Sequence, residues 1–206
     1  MAYVLGFFYA DGSYDVNPRG SEYFSFQITD RDLLYVIRSV LASNHVIAER
    51  VPRSKNERTQ YRLQIGSKEM CADLRKLGVV VQKTQTMHVP NIPQKYLPDF
   101  IRGYFDGDGH VWSGVVHKER VTQHNVLQVG FTSASNMFLL DLHKKIGWLG
   151  IKGGSAYCKK SAFCIKYSTF DSLRLYDIMY ADIDQTDLYL QRKKKVFEQF
   201  KKQTRR

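Results

Sequence analysis

The stretch whose reading decides the fold is Val4-Leu5-Gly6-Phe7-Phe8-Tyr9-Ala10-Asp11-Gly12, together with its second occurrence, Ile101-Arg102-Gly103-Tyr104-Phe105-Asp106-Gly107-Asp108-Gly109. Both have the order Gly, aromatic, Phe, x, small, Asp, Gly. The closing aspartates stand 97 residues apart in a chain of 206. A self-similarity at about half the chain length is the mark of an internal duplication. Each segment is apolar on nearly all sides, which predicts a buried helix rather than an amphipathic surface one. Gly6 and Ala10 are four apart, as are Gly103 and Gly107, so each helix presents a face of small residues along which two backbones can approach. We therefore expect the two helices to pair across a pseudo-two-fold axis, with Gly12 and Gly109 as their C-terminal stops.

The duplication extends outward from these helices. After the first motif, strand-like alternation covers Ser13–Val16 and Glu22–Thr29 and a helix covers Asp30–Ala42. Strands near His45–Val51 and Thr59–Ile65 and a helix near Lys68–Leu77 complete the unit. After the second motif the same order runs through Val111–Glu119, Leu127–Thr132, Ser135–Ile146, Gly154–Lys159, Ala162–Ser168 and Asp171–Tyr180. Each half reads αββαββα, giving an α+β fold of two pseudo-symmetric halves. The first half is expected over 1–96, including a proline-bearing linker at about 79–96, and the second over 97–206. In the strands, Phe24, Phe26, Ile28, Leu63, Ile65, Leu127, Val129, Phe131, Ile165 and Tyr167 alternate with polar residues. One sheet face must then pack on helices while the other stays open. The open-face set comprises Tyr23, Ser25, Gln27, Thr29, Gln60, Arg62, Gln64, Gln128, Thr132, Lys166 and Ser168. Such side chains can read base edges in a major groove.

The formal charge of +11 favours a polyanionic partner, but residues 191–206 hold eight Lys/Arg against the single acid Glu198. Basicity is thus concentrated in one C-terminal segment, read as a helix from Asp187 to about Gln203. Its Lys201 and Lys202 are candidates for phosphate contact. No run of apolar residues approaches the roughly 18 to 20 needed to cross a bilayer, and an intracellular protein is expected. Three cysteines, Cys71, Cys158 and Cys164, form no C-x-x-C pair and suit neither a disulfide framework nor structural zinc. Cys71 shares an apolar stripe with Met70, Leu74 and Leu77 and is expected in the core.

Asp11 and Asp108 carry the chemical argument. A carboxylate in the last turn of a helix opposes the macrodipole at a cost of about 0.3–1 kcal/mol. Pairing the helices adds a repulsion on the order of 4 kcal/mol for two carboxylates about 4 Å apart at an effective dielectric near 20. A divalent cation held between protein and phosphate oxygens would offset both. A calcium loop starting at Asp106 is excluded, since its sixth position is Val111 and its twelfth is His117.

These two motifs resemble those of single-chain LAGLIDADG homing endonucleases, and the αββαββα halves match that family's fold across essentially the whole chain. The first motif departs by having Tyr9 where an acid is common. The resemblance implies a monomer whose sheets form a saddle on double-stranded DNA. Asp11 and Asp108, with the backbone carbonyls of Ala10 and Gly107, would hold Mg²⁺. Mn²⁺ is expected to substitute, and Ca²⁺ to bind without supporting efficient cleavage. The implied reaction is a double-strand break with 3′ overhangs at a long target. Lys83 and Lys193 resemble the family's basic residues near each scissile phosphate, with Lys194 a close rival, and Asp30 and Ser133 resemble positions that order solvent. The alternative is a non-cleaving module on the same fold, an intron RNA maturase or a transcription regulator. Host intron RNA is accordingly a further expected partner.

Overall fold

The computed structural model describes residues 1–52, 54–55, 57–80, 86–119, 121–159, 162–181, 183 and 188–204. The first half runs α1 (Ala2–Asp11), β1 (Gly12–Val16), β2 (Glu22–Ile28), α2 (Arg31–Val40), β3 (Ile47–Arg50), β4 (Gln60–Ile65) and α3 (Lys68–Lys76). A 3₁₀ turn at Gln94–Tyr96 leads into α4 (Leu97–Asp108). The second half continues with β5 (Gly109–Val116), β6 (His124–Ser133), α5 (Asn136–Trp148), β7 (Ser155–Lys159), β8 (Ala162–Tyr167) and α6 (Thr169–Tyr180). The basic C-terminal helix α7 spans Gln191–Thr204.

Two four-stranded antiparallel sheets result, in the orders β1-β2-β4-β3 and β5-β6-β8-β7. Local chemistry fixes the connections. In the β1–β2 hairpin the Asn17 carboxamide accepts from the backbone N–H of Arg19 and Ser21, and Gly20 takes the left-handed φ of +80°. Ser67 and Ser135 accept from the N–H groups of Met70 and Phe138, capping α3 and α5. The strand alternation holds: Phe24, Phe26, Leu63, Ile65, Leu127, Val129, Phe131, Ile165 and Tyr167 are all buried. The rings of Phe8 and Phe105 meet Phe26 and Phe131 edge-on, at 5.8 and 6.0 Å between centroids. Each motif helix thus lies on the inner face of its own sheet. Cys71 is fully buried among apolar residues, as its stripe predicts.

The centre of the molecule is the contact between α1 and α4. A Cβ placed on Gly6 would lie 2.1 Å from the Phe100 carbonyl oxygen, and one on Gly103 would lie 2.0 Å from the Tyr3 carbonyl oxygen. These are reciprocal contacts across a pseudo-two-fold axis, with backbone pressed against backbone. Tyr9 stacks on Phe138 of the other half at 5.9 Å, and its hydroxyl donates to the Leu77 carbonyl.

Two expectations change in detail. Gly12 and Gly109 do end the motif helices, but with extended φ of −85° and −84° rather than left-handed geometry. A Cβ at either position would collide with the Phe8 or Phe105 ring, so glycine serves the sharp turn from helix into strand. Thr29 and Ser168 fall just outside β2 and β8, with Ser168 at the N-terminus of α6. Asp187 lies outside the described residues, and α7 begins only at Gln191.

Candidate active site

Because α1 and α4 pair so closely, their last residues converge. Ala10 and Gly107 lie against one another: a Cβ on Gly107 would be 2.3 Å from that of Ala10 and 3.1 Å from Asp11 Oδ2. Gly107 directly precedes Asp108, so both motif carboxylates stand at one end of the helix pair. Both are exposed. Each also acts electrostatically on the same two neighbours, the Tyr104 hydroxyl and the Lys193 ammonium. Beside them opens a pocket of about 240 Å³, lined among others by Tyr9, Ser13, Asp15, Met87, Asp108 and Ser133.

The donors at this point are hard oxygens. Among the described residues no group of three or more His, Cys, Asp or Glu side chains is assembled to hold an ion. Two exposed carboxylates with neighbouring carbonyls suit a cation that keeps water or phosphate oxygens in its other positions, as Mg²⁺ does. The residues present therefore fit the implied metal.

Behind Asp108 lies a buried polar cluster that the sequence alone did not suggest. Lys193 is buried, at 7% exposure. Its ammonium donates to the carbonyls of Phe105, Asp106, Gly107 and Gly109 at 2.6–3.3 Å. This side chain engages the C-terminal carbonyls of α4, of which that of Phe105 also accepts from the Gly109 N–H. The expectation of a lysine presented to a scissile phosphate is thus altered for Lys193, which is turned inward onto the backbone. Burial pushes its pKa down to about 8, although Asp106, Asp11 and Asp108 pull the other way. The neighbouring Arg192 faces outward, as does Lys195: the Arg192 guanidinium pairs with Asp30 at 3.2 Å and is 59% exposed. Lys194 lies over the rings of Tyr189 and Tyr180 and is mostly covered. Lys83 lies outside the described residues.

Asp106 occupies the second-motif position that Tyr9 fills in the first. Its Oδ2 accepts from the Tyr3 hydroxyl and from the Leu190 N–H, both at 2.8 Å. Burial raises its pKa to about 6, against the pull of Tyr3, Lys193, Leu190 and Arg102. Arg102 completes the cluster, donating to the carbonyls of Leu188 and Met179 and to Asp99. Together these contacts stitch residues 188–193 to α4. Ser133 is buried, with its hydroxyl accepting from Ser135 N–H, while Asp30 is engaged by Arg192.

On the open faces of the sheets, Gln27, Gln64, Thr29 and Ser168 are exposed, and Tyr23, Gln60, Arg62, Gln128, Thr132 and Lys166 are half-buried. The Gln27 carboxamide donates to that of Gln60 across the open face. Ser25 departs from the expectation of an accessible side chain. It is 3% exposed, hydrogen-bonded to Ser13 and overlaid by Arg62. The same faces carry two residues that the sequence reading passed over, His110 and the 46%-exposed Trp112 of β5. Alternation counted forward from Gly109 would have placed both there.

Comparison with known proteins identifies the fold that carries these residues. Residues 1–78 match the family model of a LAGLIDADG-like domain. The whole chain has the fold of the meganuclease I-SmaMI bound to uncleaveable DNA, with a TM-score of 0.64, 16% identity, and coverage of 98% of this chain and 88% of that one. It matches the LAGLIDADG meganuclease I-AabMI bound to uncleaved DNA at a TM-score of 0.62 and 14% identity, over 100% and 90% of the chains. The corresponding values for I-DmoI in complex with DNA and Mn are 0.58 and 12%, over 88% and 97%. In sequence, the chain is 26% identical over 123 residues to an uncharacterized protein of Methanocaldococcus jannaschii. It is 31% identical over 150 residues to the "Probable translation initiation factor IF-2" of Thermococcus kodakarensis. It spans 42% of the first relative's length and 11% of the second's.

Proposed function

Taking as premise a chain with the LAGLIDADG homing endonuclease fold, whose residues 1–78 are a LAGLIDADG-like domain, we propose that it is a sequence-specific, divalent-metal-dependent DNA endonuclease. One observation carries this reading: the carboxylates of Asp11 and Asp108 stand at the same end of two helices packed backbone to backbone. Such an arrangement concentrates negative charge at one point, where a bound cation would be favoured. The solved structures of this fold named above are DNA complexes, which supports the same partner here.

In this mechanism Asp11 and Asp108, with the carbonyls of Ala10 and Gly107, would hold Mg²⁺, Mn²⁺ would substitute for it, and Ca²⁺ would bind without supporting efficient cleavage. When bound, such an ion would supply charge that offsets the phosphodiester's and would lower the pKa of a neighbouring water. The open sheet faces seat the two halves of a duplex target, and a single chain cuts both strands, leaving 3′ overhangs. Lys193 fixes the end of α4, and so the direction of Asp108, through its bonds to the backbone. Arg192 is the cation positioned to meet a phosphate once Asp30 releases it. We take the halves as residues 1–96 and 97–206 of a monomer.

The test is cleavage of a randomised duplex library with Mg²⁺ by the parent protein, Asp11→Asn and Asp108→Asn. We expect cuts at one long site that each substitution reduces by at least about 10³-fold, with DNA binding retained. Specific binding by the parent without cutting under any divalent metal would instead assign the chain to the binding-module class.

A further inference from the structure

The two sheets present equivalent rows of side chains just beyond the motif aspartates, and the rows are chemically unequal. In the first half the row runs Ser13, Ser25, Gln64 across β1, β2 and β4. In the second it runs His110, Gly130, Lys166, Ser155 across β5, β6, β8 and β7. Ser13 and His110 are each two residues past the motif aspartate, so these are the rows nearest the candidate centre. Both project from the open face, because their strand neighbours Tyr14, Phe24, Phe26, Phe131 and Ile165 are buried.

The difference between the rows is steric as well as chemical. In the first half the Ser13 and Ser25 hydroxyls bond each other at 2.9 Å. In the second, the imidazole of His110 reaches over Gly130 with its Cε1 and Nε2 atoms nearest. A Cβ there would be 2.2 Å from His110 Cε1 and 2.4 Å from Nε2. Any side chain at 130 would displace the ring, so the glycine is what lets the imidazole lie over the strand. Lys166 flanks Gly130 on the far side, with its ammonium 5.3 Å from the Tyr157 ring centre. The second row therefore offers an ammonium, which only donates, beside an imidazole, which always carries at least one N–H. The first row's hydroxyls are occupied with one another.

We propose that His110, held in place by the absence of a side chain at Gly130, is a specificity-determining residue of the second half. With Lys166 it selects a guanine near the centre of the target. Guanine presents two acceptors, N7 and O6, in the major groove, and no other base offers two acceptors to such a donor pair. The first half carries hydroxyls and an amide in the equivalent row, with no imidazole–ammonium pair, and Arg62 there donates to the Ser25 hydroxyl. The target is therefore asymmetric at its central steps. This inference rests on the endonuclease reading above.

The experiment is selection from randomised duplexes, scored both by binding in Ca²⁺ and by cleavage in Mg²⁺, with thermal melting as the check on folding. The parent should enrich guanine at one near-central position in one half-site only. His110→Ser should reduce that preference about tenfold and leave the outer positions unchanged. Gly130→Ser should lower the same preference by displacing the ring. The paired exchange Ser13→His with Ser25→Gly should create a guanine preference at the mirror position. A folded His110→Ser protein with an unaltered profile, or one that loses discrimination equally in both half-sites, overturns the assignment and leaves the endonuclease reading intact. Failure of the parent to enrich any sequence by either score overturns the endonuclease reading and this inference with it.

Discussion

Gly103→Ala asks whether the helix pair at the centre is as tightly closed as it looks. In an exposed helix this exchange stabilises by about 1 kcal/mol through backbone entropy alone. At position 103 the added methyl would lie 2.0 Å from the Tyr3 carbonyl oxygen, 2.9 Å from its carbon and 2.8 Å from the Phe7 nitrogen. All three are backbone atoms of α1, so no rotamer change relieves the overlap. Reaching an ordinary contact near 3.4 Å requires α1 and α4 to separate locally by more than about 1 Å. Overpacking of this kind costs about 1–3 kcal/mol, which exceeds the propensity gain at all but its lower edge. The same separation displaces Asp11 relative to Asp108, and a 1 Å error at a reacting centre lowers rate by about 10²-fold. Gly147→Ala in α5 is the control, because a Cβ there meets nothing within 4 Å. Urea unfolding should show Gly103→Ala with a lower midpoint at unchanged slope and Gly147→Ala with an equal or higher one. Single-turnover cleavage should fall only in the former. A Gly103→Ala protein as stable and as active as Gly147→Ala would refute the closed interface and the reasoning built on it.

The buried cluster and the basic helix give three more expectations. Asp106 has a folded-state pKa raised to about 6, so its contribution to stability is present at low pH and is lost as pH rises through that value. The stability of the parent relative to Asp106→Asn should therefore fall by on the order of 2–3 kcal/mol between pH 4 and 7; a flat difference in denaturation midpoints contradicts this. Lys193→Met strips the donor from four carbonyls and should destabilise by about 1–3 kcal/mol, lowering single-turnover rate while DNA affinity holds. Unchanged melting and rate would remove Lys193 from the frame around Asp108. On α7, Lys201 is paired with Asp177 at 3.1 Å and Lys202 is exposed, so Lys202→Ala should reduce the salt slope of DNA binding by about one and Lys201→Ala by less. Equal slopes in parent and Lys202→Ala would place the α7 face away from the phosphates.

What could be read from the sequence follows from how local each signal is. The helices α1 and α4 and the glycine face that joins them were legible because a repeat, an apolar run and a four-residue spacing all coincide within ten residues. Strand faces were legible wherever large apolar residues alternated, as in Phe24, Phe26 and Ile28. The inward turn of Lys193 was not legible. It depends on residues 188–193 returning to α4 from more than 80 positions away, under contacts made by Arg102 and Asp106. In sequence Lys193 is one of four consecutive cations, and nothing local separates the buried one from Arg192, Lys194 and Lys195. Ser25 was missed for the same reason, since its burial comes from Arg62 of another strand.

Where the two halves agree and where they part company points to what constrains each. They agree at Gly6 and Gly103, Asp11 and Asp108, and Gly12 and Gly109. A pseudo-two-fold contact allows no difference at Gly6 and Gly103, because each faces the other helix's backbone, while Gly12 and Gly109 are each held by a phenylalanine of their own helix, Phe8 or Phe105. They differ at Tyr9 and Asp106, which hold down different return segments, the end of α3 through Leu77 and the approach to α7 through Leu190. They differ again at Asp30 and Ser135, which precede α2 and α5: one is bound to Arg192, the other donates to the Met87 carbonyl. The third difference is the open-face row of Ser13 and Ser25 against His110 and Gly130. A homodimer must carry identical rows and read a palindrome, whereas a duplicated chain is free to diverge at every position the helix contact does not police. The symmetric positions are those needed to bring two carboxylates together; of the divergent ones, Tyr9, Asp106 and Ser135 are buried anchors, and the row of Ser13 and Ser25 against His110 and Gly130 lies along the surface proposed to meet DNA. An asymmetric target follows from that distribution, and exchanging a row between halves should alter which sequence is cut without altering where Asp11 and Asp108 stand.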